Sequence, residues 1–148
     1  MKILGIGNAI VDVICKVNDE FIVNNKLTKS NMKLIFDENE FKRLLSSLKI
    51  EKTISGGSVA NSIVGLSQLG NDVGFVGKVK DDHLGKKYEE GLKKENVNYL
   101  YSKKNEPLPT GSCLILITPD SERTMCTFLG TAGKITDEDI NIDDIKNS

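Results

Sequence analysis

Two groups of residues in this chain have the types and spacing needed for ligand chemistry. The first is Asn8 with Asp12, just past the first apolar run Ile3-Leu4-Gly5-Ile6. A carboxylate accepts two hydroxyl hydrogen bonds and an amide both donates and accepts, so the pair can grip two neighbouring hydroxyls. The other use of Asp12 is to cap a turn. The second group is Gly56-Gly57-Ser58-Val59-Ala60-Asn61. Paired glycines let a ligand approach the backbone closely, and a helix start offers free N–H groups. Asn61 falls in the first turn of that helix and can face the same ligand. A tight strand-to-helix turn would use the same glycines with no ligand at all.

Other readings of the glycines fail on spacing. Gly5-Ile6-Gly7-Asn8-Ala9-Ile10 lacks the third glycine of a dinucleotide fingerprint and precedes a strand pattern. The Gly-Lys pairs at 77–78, 85–86 and 133–134 lack the Ser or Thr that a phosphate-cradling loop requires. Cys15, Cys113 and Cys126 are odd in number, contain no Cys-x-x-Cys pair and read as small buried hydrophobes. His83, the single histidine, reads as a helix-entry residue. Arg123 is one of two arginines among eighteen lysines. It is either a solvated turn residue or a cation set toward an anion.

The apolar patterning supplies the elements that must position these groups. Strands are predicted at Ile3–Ile6, Ile10–Val17, Met32–Phe36, Lys52–Ser55, Val73–Val79, Val97–Tyr101, Gly111–Thr118 and Arg123–Leu129. Asp37 with Glu40 forms a capping box before a helix bearing Phe41, Leu44, Leu45 and Leu48. Ser58 is expected to cap a second helix, which Gly70 ends. Leu84, Tyr88 and Leu92 share one face of a third, and Asp137 onward is expected to be helical. Strand and helix alternate as in a parallel α/β sheet. The strands at 10–17 with 33–36, and at 111–118 with 123–129, break that alternation and read as a small inserted antiparallel sheet.

The chain has 148 residues, enough for one domain with a real core. Twenty basic against twenty-one acidic residues leave a formal charge of -1, so the bulk basic excess of nucleic-acid binders is missing. No apolar run is long enough to span a membrane, and the first apolar stretch is too short for a signal-peptide core. The expectation is a cytoplasmic protein with neither a nucleic-acid nor a membrane partner.

Taken in order, Gly7-Asn8-Ala9-Ile10-Val11-Asp12 and Gly56-Gly57-Ser58-Val59-Ala60-Asn61 resemble the ribokinase-like, or PfkB, family of sugar and nucleoside kinases. Gly74 to Gly85 resembles the family's strand followed by an Asp-x-x-Gly helix entry. Pro109-Thr110-Gly111 and Glu122-Arg123-Thr124 resemble its lid hairpin. The resemblance implies a parallel sheet flanked by helices, with a small antiparallel β lid near 10–17, 32–36, 111–118 and 123–129. It implies that Asn8, Asp12, Gly56, Gly57 and Asn61 bind the acceptor, with Arg123 near the phosphates. The Asn8-to-Asp12 spacing is closer to the family's adenosine kinase branch. Where animal members place a base-contacting glutamine this chain has Lys33 or Met32, so nucleoside and sugar acceptors both stay open.

The family's catalytic aspartate lies in a Gly-Ala-Gly-Asp motif, which this sequence lacks. Residues 1–148 are therefore expected to be the N-terminal, acceptor-binding half of such a kinase. No catalytic base is assigned to Asp81, Asp82 or Asp120, and the chain alone is expected to be inactive. ATP and Mg²⁺ belong to the full-length enzyme and are not expected on this half. The other reading is a non-catalytic binding module, or a homodimer formed through the lid strands.

Overall fold

Short apolar runs broken by glycines, and longer runs with helical stripes, resolve into eight strands and five helices among the described residues, 2–102 and 105–148 of a computed structural model. In chain order these are β1 (Lys2–Ile6), β2 (Ile10–Lys16), α1 (Asp19–Asn24), β3 (Met32–Leu34), α2 (Glu38–Ser46), β4 (Ile50–Gly56), α3 (Ser58–Gln68), β5 (Asp72–Val76), α4 (His83–Lys94), β6 (Asn98–Tyr99), β7 (Gly111–Ile117), β8 (Arg123–Phe128) and α5 (Ile142–Lys146), with 3₁₀ turns at Gly130–Lys134 and Asp137–Asp139. The chain divides into two units. The first holds Met1–Val11, Ile54–Gly111 and Gly130–Ser148; the second holds Asp12–Thr53 and Ser112–Leu129.

The first unit is built on a parallel sheet of order β1-β5-β6. Lys2 pairs with Asp72 through to Ile6 with Val76, and Phe75 pairs with Tyr99. Parallel neighbours need a crossover, and α3 and α4 supply it. Helix α3 packs on β1 and β5, and α4 on β6. A Cβ on Gly5 would lie 2.5 Å from Ile63, and one on Gly7 2.9 Å from Val59. The glycines that fail as a dinucleotide fingerprint thus make room for α3. Val73, Phe75, Val76, Ile63, Tyr88 and Leu92 are buried.

Beyond the sheet, Lys78 is buried and bonds Asp139 at 3.0 Å and Glu106 at 3.4 Å, while the Tyr101 hydroxyl donates to Glu106 at 2.8 Å. Burial alone would push the Lys78 ammonium down. The hydrogen bond and charge of Asp139, with Glu106, outweigh that and hold it above its ordinary value. The segment after Asp137 is a 3₁₀ turn and a short helix, less helical than its composition suggests.

The sheet of the second unit has the order β3-β8-β7-β2-β4. Strands β7 and β8 form the expected antiparallel hairpin, Ile117 opposite Arg123 and Ser112 opposite Phe128. The expected pairing of Ile10–Val17 with Lys33–Phe36 is corrected. Strand β3 joins β8 in parallel, Met32 beside Met125, and β2 lies between β7 and β4. The sheet is therefore mixed. It also takes in β4, which is longer than the expected Lys52–Ser55 strand and which the α/β alternation would assign to the parallel sheet. Helix α2 covers β8, with Phe41 stacked on Phe128 at 5.5 Å. Asp37 caps α2 through the Asn39 N–H, but Glu40 turns away to Lys33, so no capping box forms. Cys15, Cys113 and Cys126 are free and buried, and burial pushes the Cys126 thiol up to about 11.

The tip of the β7–β8 hairpin is tied down by side chains. Lys29 pairs with both Asp19 and Asp120, and the Ser30 hydroxyl donates to Glu122 at 2.6 Å. The hydrogen bond from Lys29, then that from Thr118, hold the Asp120 carboxyl down at about 2, below its ordinary 3.8. A carboxyl that titrates lower in the folded chain stabilises it above the unfolded pKa. The anchor is therefore expected at full strength above about pH 4, and to fade as the pH falls from there towards 2. Amide exchange of the hairpin measured against pH checks this. Asp120→Asn should remove the acid-dependent change, and an unchanged profile in that variant would sink the assignment.

Candidate functional site

In the first unit, β1 ends at Ile6 and the chain turns through Gly7, Asn8 and Ala9. The Gly7 N–H donates to Val76 O at 3.0 Å, which fixes this turn at the end of the parallel strands. Ligands of open α/β sheets bind beyond the carboxyl ends of the strands. The Asn8 side chain is exposed there.

The second glycine motif is brought onto this turn. Gly57 has φ +98° and ψ 135°, a conformation that L side chains rarely adopt. A Cβ on it would lie 2.5 Å from Asn8 O. Two motifs some fifty residues apart in the chain thus meet backbone to backbone. Gly57 is also the N-cap of α3, in place of the expected Ser58, which is the first helical residue. No side chain caps this helix. The Asn61 N–H closes the first helical bond to Gly57 O at 2.9 Å, and Asn61 is exposed.

What holds the Gly-Gly turn is α4. Tyr88 is fully buried, with Phe75 and Tyr99 around its ring at 6.1 and 6.0 Å, and its hydroxyl donates to Gly56 O at 3.3 Å. One turn on, a side chain at Gly91 would collide with Ser55, so α4 lies directly against the end of β4. The sequence shows Tyr88 only as a member of an apolar stripe. Its hydroxyl is the one part of that stripe that hints at a polar task.

The Asp-x-x-Gly and Pro-Thr-Gly elements prove to be one construction. Asp82 caps α4 through the Gly85 N–H at 2.8 Å, and accepts from Thr110 N–H at 2.9 Å and Thr110 Oγ1 at 2.7 Å. Asp82 therefore has a structural task. His83 is the exposed first residue of α4.

The other two expected residues belong to the second unit. Asp12 is half-buried on β2, and burial raises its carboxyl above the ordinary value. Its charge reaches Cys113, near the start of β7. Arg123 is exposed on β8 opposite Ile117, at the far end of β7. Four strand steps separate Cys113 from Ile117, about 14 Å at ~3.4 Å per residue. Within this sheet, then, Arg123 and Asp12 are not neighbours.

This fold, with an exposed amide and a Gly-Gly helix entry at the ends of parallel strands, has known counterparts. The sequence profile of the pfkB family of carbohydrate kinases matches residues 23–148, and the chain belongs to that family. The structure superposes on an adenosine kinase from Sinorhizobium meliloti with a TM-score of 0.86 and 34% identity, covering 96% of this chain and 43% of that one. It superposes on a probable sugar kinase from Rhizobium etli with a TM-score of 0.87 and 34% identity, covering 97% of this chain and 43% of that one. In sequence it is 27% identical over 126 residues to the 5-dehydro-2-deoxygluconokinase of Mesomycoplasma hyopneumoniae, covering 85% of this chain and 35% of the relative. The chain spans well under half the length of these relatives. The ribokinase-like resemblance is thereby established, with its parallel sheet flanked by helices. Among the described residues no helix is long and apolar enough to cross a membrane.

Proposed function

We propose that this chain is the acceptor-binding part of an ATP-dependent kinase that phosphorylates a hydroxyl of a nucleoside or a sugar. The observation that carries the reading is the packing of Gly57 onto the Asn8 carbonyl. It spends a strained glycine to join an exposed amide to an uncapped helix start. Asn8, Asp12, Gly56, Gly57 and Asn61 are assigned to the acceptor. The half-buried Asp12 carboxylate is suited to accept from a pair of hydroxyls, and the exposed Asn8 amide to donate or accept. Arg123 is assigned to phosphate charge on resemblance alone.

In this reading, catalysis belongs to a longer protein that supplies the base, ATP and Mg²⁺. Phosphoryl transfer relies on positioning and charge neutralisation, and the residues described here position the acceptor. Among them, no three His, Cys, Asp or Glu side chains come together as they would around a metal. Alone, the chain is proposed to be inactive, to act in the cytoplasm and to bind neither nucleic acid nor membrane.

Thermal unfolding with adenosine, ribose and fructose tests the reading. A ligand present at 100 times its Kd should stabilise the chain by about 2.7 kcal/mol. Asn8→Ala is expected to abolish that shift while leaving the ligand-free midpoint in place, since Asn8 is exposed. The reading is wrong if every shift survives in this variant, or if the chain alone forms ADP in proportion to the acceptor supplied.

A second reading, a module that associates through its lid strands, is favoured by one observation. Strand β3 is an edge of its sheet, and Phe36 just beyond it is 87% exposed. Such edges invite pairing with a second copy. A single monomer boundary in sedimentation across concentrations would rule it out.

A further inference from the structure

Strand β6 sets a second tyrosine behind the Gly7–Asn8 turn. Phe75 pairs with Tyr99, and the Leu100 N–H donates to Phe75 O at 3.0 Å, so Tyr99 stands beside the last residues of β5. Its hydroxyl donates to Gly77 O at 2.6 Å. Gly77 is buried, and its backbone lies directly against Gly7. A Cβ on Gly77 would stand 2.6 Å from Gly7 O and 2.6 Å from the Phe75 ring. One residue earlier, Val76 O accepts from the Gly7 N–H at 3.0 Å. Gly7 is therefore held by two consecutive residues of one segment, and Asn8 comes next in the chain. Burial, then the neighbouring Tyr88, Tyr101 and Glu89, push the Tyr99 phenol above its ordinary value, so the hydroxyl keeps its proton and stays a donor. The Tyr99 ring meets the Tyr88 ring edge-on at 6.0 Å. Tyr88 gives its hydroxyl to Gly56 O, behind Gly57, and Tyr99 gives its own to Gly77 O, behind Gly7. Gly57 in turn packs on Asn8 O. Two rings in contact thus hold, one each, the two backbone turns that meet at Asn8.

We infer that Tyr99 is a positioning residue for acceptor binding: its hydroxyl, through the Gly77 carbonyl, fixes the Gly7–Asn8 turn and so where the Asn8 amide stands. The inference rests on the reading in which Asn8 binds the acceptor. Packing alone would ask only for the ring, and phenylalanine would fill the same space. The hydroxyl adds direction, because a hydrogen bond constrains the carbonyl that accepts it whereas apolar contact is non-directional. Direction matters most at Gly77, where no side chain restrains the backbone. Asn8 itself is exposed, and among the described residues no hydrogen bond holds its amide. Its place therefore depends on the turn that carries it. A turn already fixed in the binding arrangement has less freedom to lose when the acceptor arrives.

Tyr99→Phe keeps the ring and deletes the hydroxyl. Calorimetric titration with adenosine and with ribose should show a loss of about fivefold in affinity for whichever of them the parent binds, the net worth of one hydrogen bond. Urea unfolding gives the folded population, and the loss should exceed what that population explains. Amide exchange adds a readout that a general loss of stability does not move. The Gly7 N–H should exchange about tenfold faster in the variant, measured relative to the Ile63 N–H within α3 of the same sample. Tyr101→Phe is the control. It deletes a tyrosine hydroxyl of the same unit that bonds Glu106 at 2.8 Å, and it should bind the acceptor as the parent does. A Tyr99→Phe chain that binds as tightly as the parent overturns the inference and leaves the acceptor reading standing. So does an affinity loss with Gly7 exchange unchanged, or one that Tyr101→Phe matches. A parent that binds neither ligand, or an Asn8→Ala chain that binds as the parent does, brings down the acceptor reading and the inference with it.

Discussion

Gly57→Ala is expected to destabilise the chain by more than about 2 kcal/mol and to abolish acceptor binding. Two costs add. Gly57 sits at φ +98°, ψ 135°, near the region of backbone space that only glycine populates, where a side chain costs about 1–3 kcal/mol. The new Cβ would also stand 2.5 Å from the Asn8 carbonyl oxygen, a backbone atom that cannot swing aside. Gly70 separates the two costs. It has φ +86°, and a Cβ there would meet nothing within 4 Å, so Gly70→Ala should show the conformational part alone, about 1 kcal/mol. Urea unfolding of both variants with an unchanged m value gives the difference directly. Equal losses at the two positions would mean that Gly57 is not packed on Asn8. The motif would then be an ordinary turn.

Tyr88→Ala is expected to cost about 3–5 kcal/mol, as removal of a fully buried aromatic side chain does. Tyr88→Phe is the more informative change. It keeps the ring against Phe75 and Tyr99 and deletes only the hydroxyl that reaches Gly56 O. Gly56 is buried, so its carbonyl loses a partner at a cost of about 1–3 kcal/mol. The turn it anchors should loosen, and acceptor affinity should fall severalfold beyond what the change in folded population explains. Denaturation curves paired with titration calorimetry measure both. If Tyr88→Phe is as stable as the parent and binds as tightly, the hydroxyl has no positioning task and α4 holds the turn by packing alone.

Much of the first unit could be read from the residues. The runs at β1 and β5, the Gly-Gly entry to α3 and the stripe of α4 are local patterns with periods of two and 3.6, and they appear near where the patterns put them, although β5 stops at Val76, short of the expected Val79. The second unit was harder for physical reasons. Strand β3 is three exposed residues, so no alternation marks which strand it joins. Its parallel pairing with β8 depends on contacts about ninety residues away in sequence. Strand β4 has the spacing of an α/β element yet joins the other sheet, because pairing is decided by tertiary contacts. The N-cap of α3 falls on Gly57 and not on the expected Ser58, because the Asn8 turn holds Gly57 at positive φ. Glu40 missed its capping box because Lys33 offered a charge within reach. Neither competitor is visible in a local window. The Asn8 and Gly57 motifs stood out as glycine and amide patterns, whereas the tyrosine that braces them looked like any other core residue.

The division of the second unit into residues 12–53 and 112–129 also sets an order of events during synthesis. Strand β3 is complete at Leu34, but its neighbour β8 begins only at Arg123. At ~5–20 residues per second, the interval of nearly ninety residues lasts roughly 4–18 s on the ribosome. Through that time Met32, Leu34 and Phe36 emerge with no sheet to join. The first unit's β1 and β5 can pair within this window, since Asp72–Val76 is made well before β8. The second unit therefore finishes after the parallel pair has begun, and its open apolar strand is the segment most in need of chaperone cover on the nascent chain.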